Sequence, residues 1–129
     1  MKAAVLGRPF HIRFGGATDF QYVADTAAAF IACADRGPEG AHVYNLHGDT
    51  VEVARIIEAI NNELPTEARH LITYGGPAIP INPAMSDAAI RAALGDLPVT
   101  PLAVGVRETI RRFTDLRREN RLDASDLDT

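Results

Sequence analysis

The chain has a single cysteine, no long apolar run and little net charge, and each of these shortages excludes a class of protein. Cys33 has no second cysteine to pair with, so no internal disulfide can form, and we interpret it as a small core residue. No apolar run approaches the ~20 residues that cross a bilayer, and the first residues lack the basic and long apolar segments of an export signal. We therefore expect no membrane partner and a cytoplasmic location. The formal charge of −4 disfavours nucleic-acid binding through overall charge.

The four histidines lack the spacing of a metal site. His42 and His47 flank a predicted strand and its turn, His11 and His70 belong to other elements, and no cysteine pair assists them. We therefore expect no metal ion. The last predicted helix is rich in arginine, but acidic residues interrupt it, so we interpret it as a solvated face and expect no nucleic-acid partner.

At 129 residues and 47% hydrophobic, the chain is long enough to form one domain with its own core. Apolar periodicity and turn residues predict helices that alternate with short strands. In order, we predict the last turn of a helix over 1–6, strands over 10–14, 20–23, 42–46 and 70–74, and helices over 25–36, 49–64, 86–94 and 100–118. Residues 120–129 are acidic and polar, which predicts a disordered tail.

Acidic and hydroxyl residues mark the predicted helix starts. We expect Asp25 to accept hydrogen bonds from the first free backbone N–H groups of its helix. Asp49 and Glu52 have the spacing of a capping box, and Ser86 and Thr100 are expected to cap the two later helices.

Helical spacing also predicts which side chains are buried. The first long helix is expected to bury Ala28, Phe30, Ile31 and Ala34, the second Val53, Ile56, Ile57, Ile60 and Leu64, and the last Leu102, Val106, Ile110, Phe113 and Leu116. Glu108 lies four residues before Arg112, the order that favours an ion pair along a helix.

Several motifs follow one another in a characteristic order. Residues 19–25 have the sequence Asp-Phe-Gln-Tyr-Val-Ala-Asp before an alanine-rich helix, and 43–48 have Val-Tyr-Asn-Leu-His-Gly before the next helix. Further along the chain come Ser86-Asp87, Leu94-Gly95, Thr100-Pro101-Leu102, Gly105-Val106 and Glu108-Thr109-Ile110. Over roughly 1–118, this order resembles the C-terminal, substrate-binding half of the extended short-chain dehydrogenase/reductase enzymes, the NAD-dependent epimerase/dehydratase family.

The resemblance implies an α/β or α+β fold of about four helices with short strands, without the N-terminal Rossmann cofactor domain. Residues 1–119 would be the substrate-binding region, and strand 42–46 would join the sheet of the missing domain, so that its backbone lacks neighbours here. The helix over 1–6 would begin upstream. We therefore expect Met1 to be an internal methionine or the start of a truncated reading frame.

The family's cofactor and catalytic motifs are missing from the chain. The family has a Gly-x-x-Gly-x-x-Gly turn and a Tyr-x-x-x-Lys pair, but here the three tyrosines are followed four residues later by Thr26, Gly48 and Ala78, and Lys2 is the only lysine. The resemblance thus implies NAD or NADP for the complete enzyme, with no cofactor bound and no catalytic residue supplied by this chain alone.

The substrate side of the resemblance leaves four candidate binding residues, Arg13, Thr18, Gln21 and His47. Nucleotide-sugar members of the family have an arginine where this chain has Thr18, and threonine alone is a poor ligand for phosphate, which disfavours such a substrate. Arg13 is the nearest cation for a carboxylate or phosphate, or else an exposed strand residue. His47 follows a strand at a glycine-containing turn, where the family's sheet approaches its cofactor domain.

The implied function is substrate recognition within an NAD(P)-dependent epimerase, dehydratase or reductase. Its partners would be a small-molecule substrate and a cofactor-binding half, from the same gene or a separate chain. The alternative is a non-catalytic module derived from that family, which binds a small molecule or forms a homodimer.

Overall fold

The computed structural model describes residues 1–127 and contains five α-helices and four short strands in that range. The order is α1 (Lys2–Val5), β1 (Phe10–Ile12), β2 (Ala17–Phe20), α2 (Val23–Arg36), β3 (Asp49–Glu52), α3 (Val53–Asn62), β4 (Ile72–Tyr74), α4 (Ala88–Leu94) and α5 (Leu102–Arg118), with 3-10 turns at Thr66–Ala68 and Ser125–Leu127. The predicted mixture of helices and short strands is confirmed. Within residues 1–127, no helix combines the length and the apolar character that a membrane crossing needs.

The strands form two separate pairs. β1 and β4 are parallel, with Phe10 opposite Ile72 and Ile12 opposite Tyr74. β2 and β3 are antiparallel, with Ala17 opposite Glu52. β3 leads directly into α3, so its pairing with β2 fixes where that helix begins.

The main core is built on α3. Val53, Ile56, Ile57 and Ile60 form its buried stripe, as their spacing predicts, and they belong to one cluster with residues of α1 and α5. Burial of each such side chain contributes about 1.5–3 kcal/mol. This cluster is therefore the largest stabilising feature of the fold.

The predicted buried face of α2 is wrong. Its buried residues are Ala29 and Ala32, whereas Phe30 and Ile31 are 71% and 67% exposed. The two alanines belong to a second cluster with Ile90 and Leu94 of α4, where the large side chains come from the shorter helix. The opposite side of α2, which we call its outer face, consists of Val23, Ala27, Phe30, Ile31 and Ala34, all exposed.

The strand predicted over 42–46 does not form in the described chain. Residues 41–48 carry no strand pairing, yet Tyr44 and Leu46 pack against the second cluster while Val43 is 96% exposed. Such alternation is typical of a strand with one covered face. The His42 ring stacks on Tyr44 with 6.0 Å between the ring centroids.

The predicted caps are also wrong, because the acidic side chains bind elsewhere. Asp25 accepts hydrogen bonds from Thr100, and Asp49 accepts one from the Leu102 N–H at 2.7 Å, at the first residue of α5. Of the expected caps, Ser86 is the one that keeps a local role, since its hydroxyl accepts a bond from the Ala88 N–H at 3.3 Å.

On α5 the buried stripe is confirmed at Val106 and Ile110, but the predicted ion pair is not. Glu108 pairs with Arg111 at 2.7 Å instead of Arg112, and this carboxylate raises the pKa of Arg111 above its usual value.

Residues after α5 fold back onto the start of the chain. Lys2 donates to the Asp123 carbonyl oxygen at 3.0 Å and pairs with Asp126, while Leu127 packs against the main core. The disorder predicted for 120–129 stays a prediction, and residues 128–129 of that segment lie outside the described residues.

Candidate functional site

A polar cleft lies where the end of β2 and the start of α2 meet the 46–48 turn, α4 and the 97–100 segment. Its cavity volume is about 30 Å³, and the cleft is open to solvent. Its walls therefore come from segments far apart in sequence, and the hydrogen bonds between those segments determine its shape.

Asp19 joins the end of β2 to the 46–48 turn. Its side chain is 5% exposed, and its two oxygens lie 3.0 and 3.1 Å from the Gly48 N–H. The same carboxylate accepts from Gln21 Nε2 at 2.9 Å and lies 3.2 Å from His47 Nδ1. Gly48 packs so closely on the Phe20 carbonyl that a side chain at this position would clash. The turn is thereby fixed at one edge of the cleft.

Gln21 extends this connection. Besides Asp19, its Nε2 donates to the Leu46 carbonyl at 3.1 Å, and its Oε1 accepts from the Thr26 hydroxyl at 3.3 Å. The amide thus ties β2, α2 and the 46–48 turn together.

Asp25 fixes the opposite wall. Its carboxylate accepts from the Thr100 N–H at 2.6 Å and from the Thr100 hydroxyl at 2.8 Å. The 97–100 segment that lines the cleft is therefore held to the first turn of α2. Sequence reasoning missed this contact because the two residues lie 75 positions apart and neither local pattern identifies the other.

Arg91 is the arginine that lines this cleft in the described chain, and sequence reasoning missed it as well. It lies on α4 and pairs with Asp87 at 2.7 Å, one helical turn earlier. The Asp-x-x-x-Arg spacing was a signal for this pair. Arg91 therefore places one positive charge in a cleft that Asp25 and Asp87 also line.

Of the four predicted binding residues, the structure brings Gln21 and His47 together in the cleft. Thr18 lies on β2 opposite Val51 and lines none of the described clefts. Arg13 is exposed just after β1 and lines a separate groove with Phe10 and Leu127.

A second, more apolar cleft adjoins the first across Tyr22. Its lining includes Ile56, Leu102 and Val106, and its cavity volume is about 190 Å³. The Tyr22 ring packs on Gly105 of α5, where an added Cβ would lie 3.2 Å from the ring. Tyr22 therefore belongs to the walls of both clefts.

Two strand-to-helix junctions are short in the described chain. The junction from β2 to α2 consists of Gln21 and Tyr22, and β3 runs into α3 without a loop, so neither has the glycine-rich turn that approaches a diphosphate. Within residues 1–127, no three His, Cys, Asp or Glu side chains cluster as metal ligands.

No protein-family model and no curated protein matches this sequence. Among solved structures, the chain is similar to one described as a "putative epimerase from Burkholderia cenocepacia J2315", with a TM-score of 0.65 and 18% sequence identity. The chain has part of an epimerase-like α/β fold. The match covers 88% of this chain but 39% of the Burkholderia protein, so this chain spans less than half of that length.

Proposed function

We propose that the chain is the substrate-recognition part of an NAD(P)-dependent epimerase, dehydratase or reductase of the extended short-chain dehydrogenase/reductase family. It depends on a cofactor-binding half, in the same gene or a separate chain, and works in the cytoplasm. Two observations support this assignment: the order of the sequence motifs, and a fold similar to 39% of a protein described as an epimerase.

The observation that carries the proposal is the uncovered apolar side of the molecule. The outer face of α2 exposes Phe30 and Ile31, and the 41–47 segment, which packs on the other side of that helix, has a strand-like alternation without a strand partner in the described chain. An unpaired segment of this kind is a template for sheet pairing. The occupant we propose is the cofactor-binding half, because more than half of the Burkholderia protein lies outside the match.

The two adjoining clefts supply the place for a small-molecule substrate. Gln21 and His47 line the polar cleft, and Tyr22 separates it from the apolar one. We retain both predicted residues as substrate contacts. Arg13 and Thr18 would contact only a ligand that extends beyond these clefts.

The test begins with the DNA upstream of the Met1 codon. The polypeptide it encodes is expressed alone, and its binding to this chain is measured by calorimetry with and without NADH. The expected result is a polypeptide that binds NADH and forms a stoichiometric complex with the chain. Tight binding of NADH by this chain alone, or an upstream product that binds neither NADH nor the chain, would contradict the proposal.

The same exposed face favours a second candidate, a non-catalytic homodimer. Two copies could cover their Phe30 and Ile31 side chains against each other across a two-fold axis. Light scattering separates the candidates: a monodisperse dimer that ignores the upstream polypeptide supports the module, whereas a monomer or loose aggregate that the polypeptide converts to a heterodimer supports the split enzyme.

A further inference from the structure

We propose that His47 is a proton acceptor in the polar cleft and that Asp19 is the carboxylate that positions it. The identity of its substrate rests on the proposed function, whereas the acid–base property of the pair does not. The inference starts from the buried carboxylate.

Asp19 is held in one orientation. Its side chain is 5% exposed, and it accepts hydrogen bonds from the Gly48 N–H and from Gln21 Nε2. Because these donors fix both oxygens, the carboxylate cannot turn away from His47. Its Oδ1 lies 3.2 Å from Nδ1 of that ring.

This contact is at ion-pair distance and favours one tautomer of the neutral ring. A carboxylate next to Nδ1 favours the tautomer with the proton on Nδ1, which leaves the lone pair on Nε2. Nε2 is on the other side of the ring from Asp19, and the His47 side chain is 37% exposed and lines the cleft. The lone pair is thus available to a ligand.

The other histidines with described contacts are held differently. His42 Nε2 lies 2.9 Å from the Glu39 carbonyl oxygen, and His11 Nδ1 lies 2.9 Å from the Thr73 hydroxyl. In the described chain, His47 is the histidine within ion-pair distance of a carboxylate. His11 and His42 are therefore internal controls for any chemical probe of imidazole.

The chemistry is a proton transfer with a hydroxyl-bearing small molecule. Nε2 takes the proton of a substrate O–H, the electron pair of the broken bond stays on the substrate oxygen, and Asp19 stabilises the imidazolium that forms. The Arg91 guanidinium lines the same cleft and is paired there with Asp87. Return of the proton from Nε2 completes the cycle.

The first test needs no variant. ¹⁵N NMR of the full chain at mildly alkaline pH reports which ring nitrogen carries the proton. We expect the Nδ1-protonated tautomer for His47. A ring protonated on Nε2 would overturn the proposal.

The second test uses diethyl pyrocarbonate, with the modification rate of each histidine followed by mass spectrometry. At mildly alkaline pH, where the ring is neutral, His47 is expected to react at Nε2, and Asp19→Asn should lower that rate severalfold because the carboxylate no longer holds the ring with its proton on Nδ1. The rates of His11 and His42 should stay unchanged in that variant. An unreactive His47, or an unchanged His47 rate in Asp19→Asn with a native circular dichroism spectrum, would overturn the assignment.

These outcomes are independent of the cofactor half. If the upstream polypeptide fails to bind, the proposed function is wrong while the NMR and modification results still stand. If the complex forms but His47 has the other tautomer, the acid–base role alone is wrong.

Discussion

Replacement of Asp25 by alanine is expected to destabilise the fold by about 3 kcal/mol. The carboxylate accepts two hydrogen bonds from Thr100, at 2.6 and 2.8 Å, and these join the first turn of α2 to the residues before α5. A hydrogen bond to a charged group contributes about 1.5–3 kcal/mol. We use the lower end for each of the two hydrogen bonds, because Asp25 and Thr100 are only partly buried. The loss is a large fraction of the ~5–15 kcal/mol that stabilises a domain.

A double-mutant cycle isolates this contact. Thr100→Ala removes the hydroxyl but keeps the backbone N–H, so it should cost about 1–1.5 kcal/mol. Because either substitution removes the hydroxyl bond, the double variant should be about 1 kcal/mol more stable than the sum of the single effects. Urea denaturation followed by far-ultraviolet circular dichroism measures all four proteins. Effects that add within about 0.3–0.5 kcal/mol would refute the coupling and return Asp25 to the role of a local helix cap.

Three further predictions concern other parts of the molecule. The Cβ of Gly105→Ala would lie 3.2 Å from the Tyr22 ring, so the contact should offset part or all of the ~1 kcal/mol that alanine gains over glycine in a helix. The same substitution should stabilise a Tyr22→Ala chain more than it stabilises the unchanged chain in a denaturation assay. Phe30→Lys should change stability by less than about 0.5 kcal/mol and reduce self-association in light scattering, since this side chain is 71% exposed. The Ser125 N–H donates to Asp123 and holds the pKa of that carboxyl below its usual value. The stability from this contact is therefore fully present above the usual aspartate pKa and is lost as the pH falls through the lowered pKa. NMR titration should show the lowered pKa of Asp123, and Ser125→Pro, which removes the N–H, should raise that pKa.

The sequence predicted the elements with strong periodicity. The stripe of α3 at Ile56 and Ile60 is narrow, apolar and flanked by charge, so only one face of that helix can be buried. The prediction of the buried face of α2 was wrong for the opposite reason. Ala29 and Phe30 are both apolar, and hydropathy alone cannot show that α4 approaches the side where the residues are small.

The capping roles predicted for the acidic residues were wrong, because local and distant hydrogen-bond donors compete for the same carboxylate oxygens. Asp49 has good capping-box spacing with Glu52, yet it accepts from the Leu102 N–H, a partner that no local pattern reveals. Gln21 and His47 were predicted at the site and share the cleft, because both contact Asp19: Gln21 is its neighbour in sequence, whereas the tertiary fold brings His47 to it. Arg91 and Thr100 reach it only through tertiary packing.

The way the chain closes on itself affects its synthesis. β1 can pair with β4 only after some sixty further residues are made, and the partners of Lys2 at Asp123 and Asp126 are made still later. Contacts this distant in sequence form slowly, because loop closure must precede them. The strand at Phe10–Ile12 therefore stays unpaired until Ile72–Tyr74 has been made, and the contacts of Lys2 with Asp123 and Asp126 form later still. During that interval the unpaired strand of the nascent chain is accessible to chaperones and proteases.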